Sequence, residues 1–186
     1  MIVALERISQ ADKNSLRTWR NDPAVSKWMY TNHEIGEAEH NVWFDNMLVD
    51  DSKVYWKIVV DGVAVGTVLL TGVVDDALSY EWGMYLADVD VRGKGVAQAA
   101  CALSFRHAFE NLGVSAVRCE AVAQNETAIG LYESVGYVRT GLKEDAVLRG
   151  NEMLSVVTLE LTREAWTARK DHVLQRLSEK GVNIHG

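Results

Sequence analysis

Proline is nearly missing from this sequence: Pro23 is the only one in 186 residues. With apolar residues at 48%, that scarcity excludes a proline-rich linker or a low-complexity disordered chain, and order is expected nearly throughout. Cysteine is scarce too. Cys101 and Cys119 are the only two, each inside an apolar run and without a partner motif, so neither a disulfide framework nor a metal site is expected and both read as buried core. Positive charge is in deficit. A formal net charge of −7 argues against a nucleic-acid partner, because phosphate backbones are held by a surplus of Lys and Arg, and any anionic ligand must meet a local positive site. No apolar run approaches the roughly 20 residues of a membrane span, and Met1-Ile2-Val3-Ala4-Leu5 lacks a basic region or cleavage site. The expectation is a cytoplasmic chain with no membrane partner.

What is present is enough chain to bury about 70% of its unfolded surface around one core, so residues 1–186 are expected to form a single domain. Ile2 to Ile8 reads as a strand, followed by the capping candidates Ser9 and Asp12 and a helix through Leu16 and Trp19 that Pro23 closes. A second helix is expected from near Glu34, with His40, Trp43, Phe44, Met47 and Leu48 on one face, broken at Asp50-Asp51-Ser52. From Val54 the period falls to two. Tyr55 to Val60, a turn at Asp61-Gly62, Val63 to Val74, a turn at Asp75-Asp76, and Leu78 to Leu86 make an antiparallel meander of three strands.

After Gly95 comes a helix apolar almost all round (Val96, Ala99, Ala100, Leu103, Phe105, Ala108), which implies burial on several sides, and Gly113 ends it. Val114 to Ala123 reads as a strand and Glu126 to Val135 as a short helix stopped by Gly136. Tyr137 to Val147 and Glu152 to Leu161 form a hairpin around Arg149-Gly150-Asn151, before a charged helix from about Arg163 to Lys180. The order is βαα-βββ-α-β-α-ββ-α.

Val91-Arg92-Gly93-Lys94-Gly95-Val96-Ala97 lies between a strand and the buried helix, where unpaired N–H groups and the helix dipole create an anion site. Glycines leave the backbone bare enough for phosphate to approach, and Arg92 and Lys94 supply positive charge. Taken alone, the segment also reads as a glycine-rich turn with two solvated basic residues. A Walker loop does not fit, and a dinucleotide fingerprint would need a small residue where Gln98 stands.

The loop resembles the GNAT acetyltransferase pattern Arg/Gln-x-x-Gly-x-Gly/Ala, matched at Arg92, Gly95 and Ala97, although glycine is commoner than alanine at the last position. A second stretch resembles the GNAT signature Asn-x-x-Ala-x-x-Leu-Tyr-x-x-x-Gly-Phe/Tyr, matched from Asn125 through Tyr132 to Tyr137. The element order is the family's own over most of the chain. The resemblance implies an α/β (α+β) fold with a mixed central sheet, an antiparallel N-terminal meander and flanking helices. It also implies acetyl-coenzyme A as cosubstrate, with no metal: Arg92, Gly93, Lys94, Gly95, Val96 and Ala97 around the pyrophosphate, Asn125 on the pantetheine arm, Tyr132 near the sulfur, and N–H groups around Tyr85 and Leu86 as oxyanion donors. Each signature residue has a plainer reading as well. Asn125 is a good helix N-cap and Tyr132, at helical spacing from Ala128 and Ile129, a core aromatic; their joint spacing favours the functional one.

Acetyl transfer to an amine by direct attack needs a neutral nucleophile, donors for the developing oxyanion and a proton for the departing thiolate. A phenol with a pKa of about 10 is close enough to a thiol at about 8.5 to share a proton, so Tyr132 is the expected general acid. Strand parity places Glu81 with Ser79, Gly83 and Tyr85, and Glu120 with Arg118 and Val122. Either carboxylate is a candidate base, Glu120 preferred by a small margin, with a surface pair to Arg118 as its alternative.

The N-terminal third, through Arg20-Asn21-Asp22-Pro23, Lys27-Trp28-Met29-Tyr30, Glu34-Ile35 and His40 to Phe44, is similar to the nucleotide-sugar N-acetyltransferases of pseudaminic acid biosynthesis. That resemblance implies the 4-amine of a UDP-linked 4-amino-4,6-dideoxy sugar as acceptor, en route to a flagellin glycan. Arg20 would pair with a UDP phosphate, Trp28 or Tyr30 would stack on uracil or sugar, and His40 and Thr71 are further polar contacts; singly, each also reads as core. The alternatives are a protein N-terminal acetyltransferase and a non-catalytic acetyl-coenzyme A-binding module, the latter opposed by Tyr132 with its nearby carboxylates. A homodimer is open, since Trp166, Val173, Leu174 and Leu177 form a stripe that docks on its own domain or on a second copy.

Overall fold

β-Branched and aromatic residues at alternating positions draw the described residues into one eight-stranded sheet. Its strands are β1 (Ile2–Arg7), β2 (Lys53–Val60), β3 (Val63–Thr71), β4 (Ser79–Leu86), β5 (Ala116–Val122), β6 (Val138–Arg149), β7 (Glu152–Thr162) and β8 (Asn183–His185). The computed structural model describes residues 1–72 and 78–185. The expected strand end at Val73 and Val74 and the turn at Asp75-Asp76 lie outside them. The spatial order is β6-β7-β5-β4-β3-β2-β1-β8. β1 to β4 pair antiparallel in sequence, which is the expected meander extended by one strand. β4–β5 and β1–β8 are parallel and β5–β7–β6 antiparallel, so the sheet is mixed.

The helices are α1 (Lys13–Asn21), α2 (Pro23–Ser26), α3 (Glu37–Val49), α4 (Val96–Arg106), α5 (Glu126–Val135) and α6 (Arg163–Glu179). Pro23 does not simply end the first helix. Asp22 is extended and its carboxylate accepts from the Ala24 N–H at 2.7 Å, so Pro23, which has no N–H to satisfy, opens α2. The next helix starts at Glu37, three residues later than expected, behind Gly36 as extended N-cap. Beyond Arg106 the backbone loosens into a π-helical stretch, His107–Asn111, before Gly113 at φ +75°. β8 was not expected: three residues are too few to carry a period, and Ile2 to Ala4 recruit them by parallel pairing.

Two cores form on the sheet's two faces. The larger holds Trp56, Ile58, Val68, Leu70, Tyr80 and Trp82 against α4, α5 and α6. Cys101 and Cys119 are buried there as free thiols. Trp166, Val173 and Leu177 are buried in the same core, so the apolar stripe of α6 docks on its own domain. The smaller core joins Ile8, Leu16, Phe44 and Met47, with Trp19, Leu48 and Tyr55 against it, beneath α1 and α3. Trp43, expected on that inward face, is 41% exposed.

Candidate active site

Parallel pairing between β4 and β5 covers only Ser79 to Glu81 against Ala116 to Arg118. Both strands continue, β4 to Leu86 and β5 to Val122, with no ladder between them. The gap opens a cavity of 1160 Å³ that reaches through the sheet: Glu81, Tyr85 and Glu120 line it from one face, Gln98, Leu131 and Tyr132 from the other. It exceeds the roughly 300–1,000 Å³ of a single small-molecule pocket.

At one end lies the glycine loop. Gly93 and Gly95 have φ of +75° and +93°, values that non-glycine residues rarely hold. A Cβ at Gly95 would also sit 3.3 Å from both Leu177 and Val182, so this residue lets α6 and the segment after it close on the loop. The turn makes one backbone hydrogen bond, Arg92 N–H to Val89 C=O at 3.2 Å. Among the described residues, the amides of Gly93 to Ala97 meet no backbone acceptor, leaving bare donors at the start of α4, as a diphosphate requires. Gly93, Gly95 and Ala97 face the cavity; Val96 is buried in the core and the Lys94 side chain is exposed and off the cavity wall. Arg92 lines the cavity as well, its guanidinium charge unneutralised among the described residues and one nitrogen, Nη2, engaged with backbone. It donates to the carbonyls of Leu86 at 2.8 Å and Ala24 at 3.4 Å, pinning the loop to β4 and α2. The unexpected cations on the wall are Arg176 of α6 and Lys180, which caps that helix. Four apart on a polar helix face, they read in sequence as solvated charge.

The Asn125 side chain caps α5 by accepting from the Ala128 N–H at 3.3 Å, and the residue lines the cavity. Tyr132 is 6% exposed and packs edge-on against Trp82. Burial, reinforced by Cys119 and Cys101, pushes its phenol well above the ordinary value, so the near match to a thiol does not hold in place. A phenol of this kind is a persistent hydrogen-bond donor. The Ala87 N–H donates to Val65 C=O at 2.8 Å. Alternation along the strand therefore aims the Leu86 N–H at the opposite edge, into the gap, and the Tyr85 N–H at β3, opposite Thr67.

The two carboxylates stand in different surroundings. Glu120 is engaged: it accepts from Tyr30 Oη at 2.9 Å and from Lys143 Nζ at 2.5 Å. Its pKa is lowered, because burial, which alone would raise it, is outweighed by those two hydrogen bonds. Arg118, the alternative partner, binds Glu160 instead at 2.7 Å. Glu81 faces the same cavity, and among the described residues its carboxylate has no hydrogen bond or ion pair.

On the sheet face that carries Glu81 and Tyr85, residues of α1, α2 and α3 also line the cavity. Arg20 lies on its wall, with Nη2 donating to Thr31 Oγ1 at 3.2 Å while Nη1 is buried without a partner. Burial lowers its pKa, with Tyr85 and Tyr55 opposing. Burial likewise pushes the Tyr85 phenol up to about 12, against the Thr67 hydroxyl and Arg20. Trp28, Tyr30 and Trp43 add aromatic surface. His40 lies on the wall too, but its Nε2 donates to the Lys13 carbonyl at 2.7 Å. Thr71 shares a face with Thr67 and Leu69, yet only those two reach the cavity.

A split sheet, bare amides at a helix start and a buried phenol facing the same cavity define an acetyltransferase of the GNAT type. The acetyltransferase (GNAT) domain family matches residues 3–138, and the chain belongs to that family. It is an N-acetyltransferase that uses acetyl-coenzyme A. It is 31% identical over 115 residues to the acetyltransferase PseH of Campylobacter jejuni, covering 62% of this chain and 69% of that one. It is 38% identical over 68 residues to the uncharacterized N-acetyltransferase YdgE of Bacillus subtilis, 37% of this chain and 41% of that one. Among solved structures, the spermidine N-acetyltransferase of Vibrio cholerae in complex with CoA and spermine superposes with a TM-score of 0.80 at 15% identity, over 89% of this chain and 98% of that one. A putative acetyltransferase from T. thermophilus gives 0.77 at 22%, over 93% and 92%.

Proposed function

We propose that the acceptor is the amine of a UDP-linked amino-dideoxy sugar, as in the pathway to pseudaminic acid. The observation that carries this reading is Arg20: a guanidinium nitrogen buried on the cavity wall with no partner. A buried charge without a counter-charge is costly, and a ligand phosphate would supply two oxygens in matching geometry. Trp28, Tyr30 and Trp43 offer faces for a uracil or for the sugar's methyl group. The sequence likeness to PseH points the same way. A polyamine, the acceptor named for the Vibrio cholerae enzyme, would bring a cation toward Arg20, which disfavours it.

Acetyl-coenzyme A supplies an activated acetyl thioester. In this reading Glu81 takes the proton of the attacking amine, directly or through water, because its carboxylate is free whereas Glu120 is held by two donors. The Leu86 N–H faces the carbonyl oxygen and stabilises negative charge as it develops. Tyr132 donates a hydrogen bond to the departing sulfur and so stabilises the thiolate as it leaves. Asn125 and the amides of Gly93 to Ala97 hold the coenzyme in register.

The test is a panel of amines with acetyl-coenzyme A, following thiol release: UDP-4-amino sugars against spermidine and peptide N-termini. Turnover confined to the UDP-amino sugars supports the proposal; a preference for spermidine or peptides overturns it.

A further inference from the structure

Coenzyme A carries its negative charge at two centres, a diphosphate and a phosphomonoester on the ribose. The bare amides of the glycine loop meet the needs of the first. They leave unexplained why α6 turns two more cations toward the same end of the cavity. Arg176 and Lys180 both line it, one helical turn apart and therefore on one face. Lys180 lies over the loop, its Cδ 3.5 Å from where a Cβ of Gly95 would stand. Among the described residues neither side chain makes an ion pair, in a chain whose net charge is −7 and whose acids outnumber its bases. The cation expected to serve this end, Arg92, has its Nη2 engaged with two backbone carbonyls, which fixes it beside the glycine loop.

We infer that Arg176 and Lys180 form a second anion seat, distinct from the amide cradle, which holds the 3′-phosphate of coenzyme A and makes this enzyme select the phosphorylated coenzyme over its 3′-dephospho form. A phosphomonoester is close to doubly charged at neutral pH and offers three acceptor oxygens. A forked guanidinium beside a mobile ammonium suits it better than backbone amides do, since both bring full charge. The alternative role for Arg176, offsetting the dipole at the C-terminal turn of α6, involves no ligand and would not distinguish the two coenzymes. The inference rests on the coenzyme alone and is independent of the acceptor.

Calorimetric titration of the protein with coenzyme A and with 3′-dephospho-coenzyme A, without any acceptor, tests it. The wild type is expected to bind coenzyme A at least about tenfold more tightly, the scale of a hydrogen bond between charged groups. The double variant Arg176→Ala, Lys180→Ala is expected to lose that margin and bind both ligands as the wild type binds the dephospho form. Retained dephospho-coenzyme binding also shows that the variant is folded. Equal affinity of the wild type for both ligands, or a proportionate loss for both in the variant, overturns the inference.

Discussion

Tyr30 Oη donates to Glu120 across 90 residues of sequence, at 2.9 Å, and ties the segment between α2 and α3 to the edge of the gap. Lys143 holds the other carboxylate oxygen. A carboxylate so occupied positions the segment that carries Tyr30 and cannot readily take a proton, whereas Glu81 across the gap is free. Glu81→Gln is therefore expected to lower kcat by about a hundredfold, the lower range of general-base contributions. Glu120→Gln is expected to raise KM for the acceptor with kcat changed only a few fold. Steady-state kinetics at saturating acetyl-coenzyme A check this, and the reverse pattern would return the base to Glu120.

The same contact makes stability depend on pH. Glu120 has a folded pKa below its ordinary 4.5; such a group adds stability above that value and gives it up as pH falls through the folded value. Urea denaturation between neutral pH and about pH 3 is expected to show the wild type losing its margin over Glu120→Gln only below pH 4.5. For a pair this accessible the margin is at most about 1 kcal/mol, and added salt should shrink it. A margin constant with pH would mean that the carboxylate charge contributes nothing.

Much of this arrangement was legible in the sequence because its causes are local. Period two in Tyr55 to Val60 and in Ser79 to Leu86, bare glycines ahead of an all-apolar helix, and Asn125 with Tyr132 at fixed spacing are short-range patterns. They place the meander, the loop and α5 directly. What could not be read depends on partners far away in the chain. The capture of Arg92 by Leu86 and Ala24 and the arrival of Arg176 and Lys180 from α6 are set by how distant elements pack. The choice between Glu81 and Glu120 turned on Tyr30 and Lys143, neither of which has any spacing relation to either carboxylate. Trp43 shows the limit of periodicity itself: it follows the apolar face of α3, but the cavity lies where that face meets α1 and β2.

Tyr132 is buried and its phenol is raised well above the ordinary value. It therefore remains protonated through the alkaline range in which a free tyrosine, with pKa about 10, would ionise. Tyr132→Phe is expected to lower kcat by about tenfold to a hundredfold while coenzyme affinity, measured by calorimetry, is nearly unchanged. The wild-type profile should show no fall in kcat up to about pH 10 from loss of this proton. Unchanged turnover in the variant, or an alkaline limb that Tyr132→Phe removes, would show that the phenol acts otherwise.

Arg20 poses a conflict between stability and function that a single substitution can expose. Its Nη1 is buried without an acceptor, and its one hydrogen bond, to Thr31, is long at 3.2 Å. Removing an unpaired buried charge in favour of an apolar side chain of similar length is neutral or stabilising, so Arg20→Met is expected to leave Tm unchanged or raise it. The same variant would lose the charge-assisted contact to the acceptor's phosphate, raising KM for a UDP-amino sugar by about tenfold or more. A fall in Tm with unchanged KM would assign Arg20 to the architecture of α1, and the acceptor reading would then lose its main support. The two measurements together separate a residue kept for binding from one kept for folding, because only the first gains stability when it is removed.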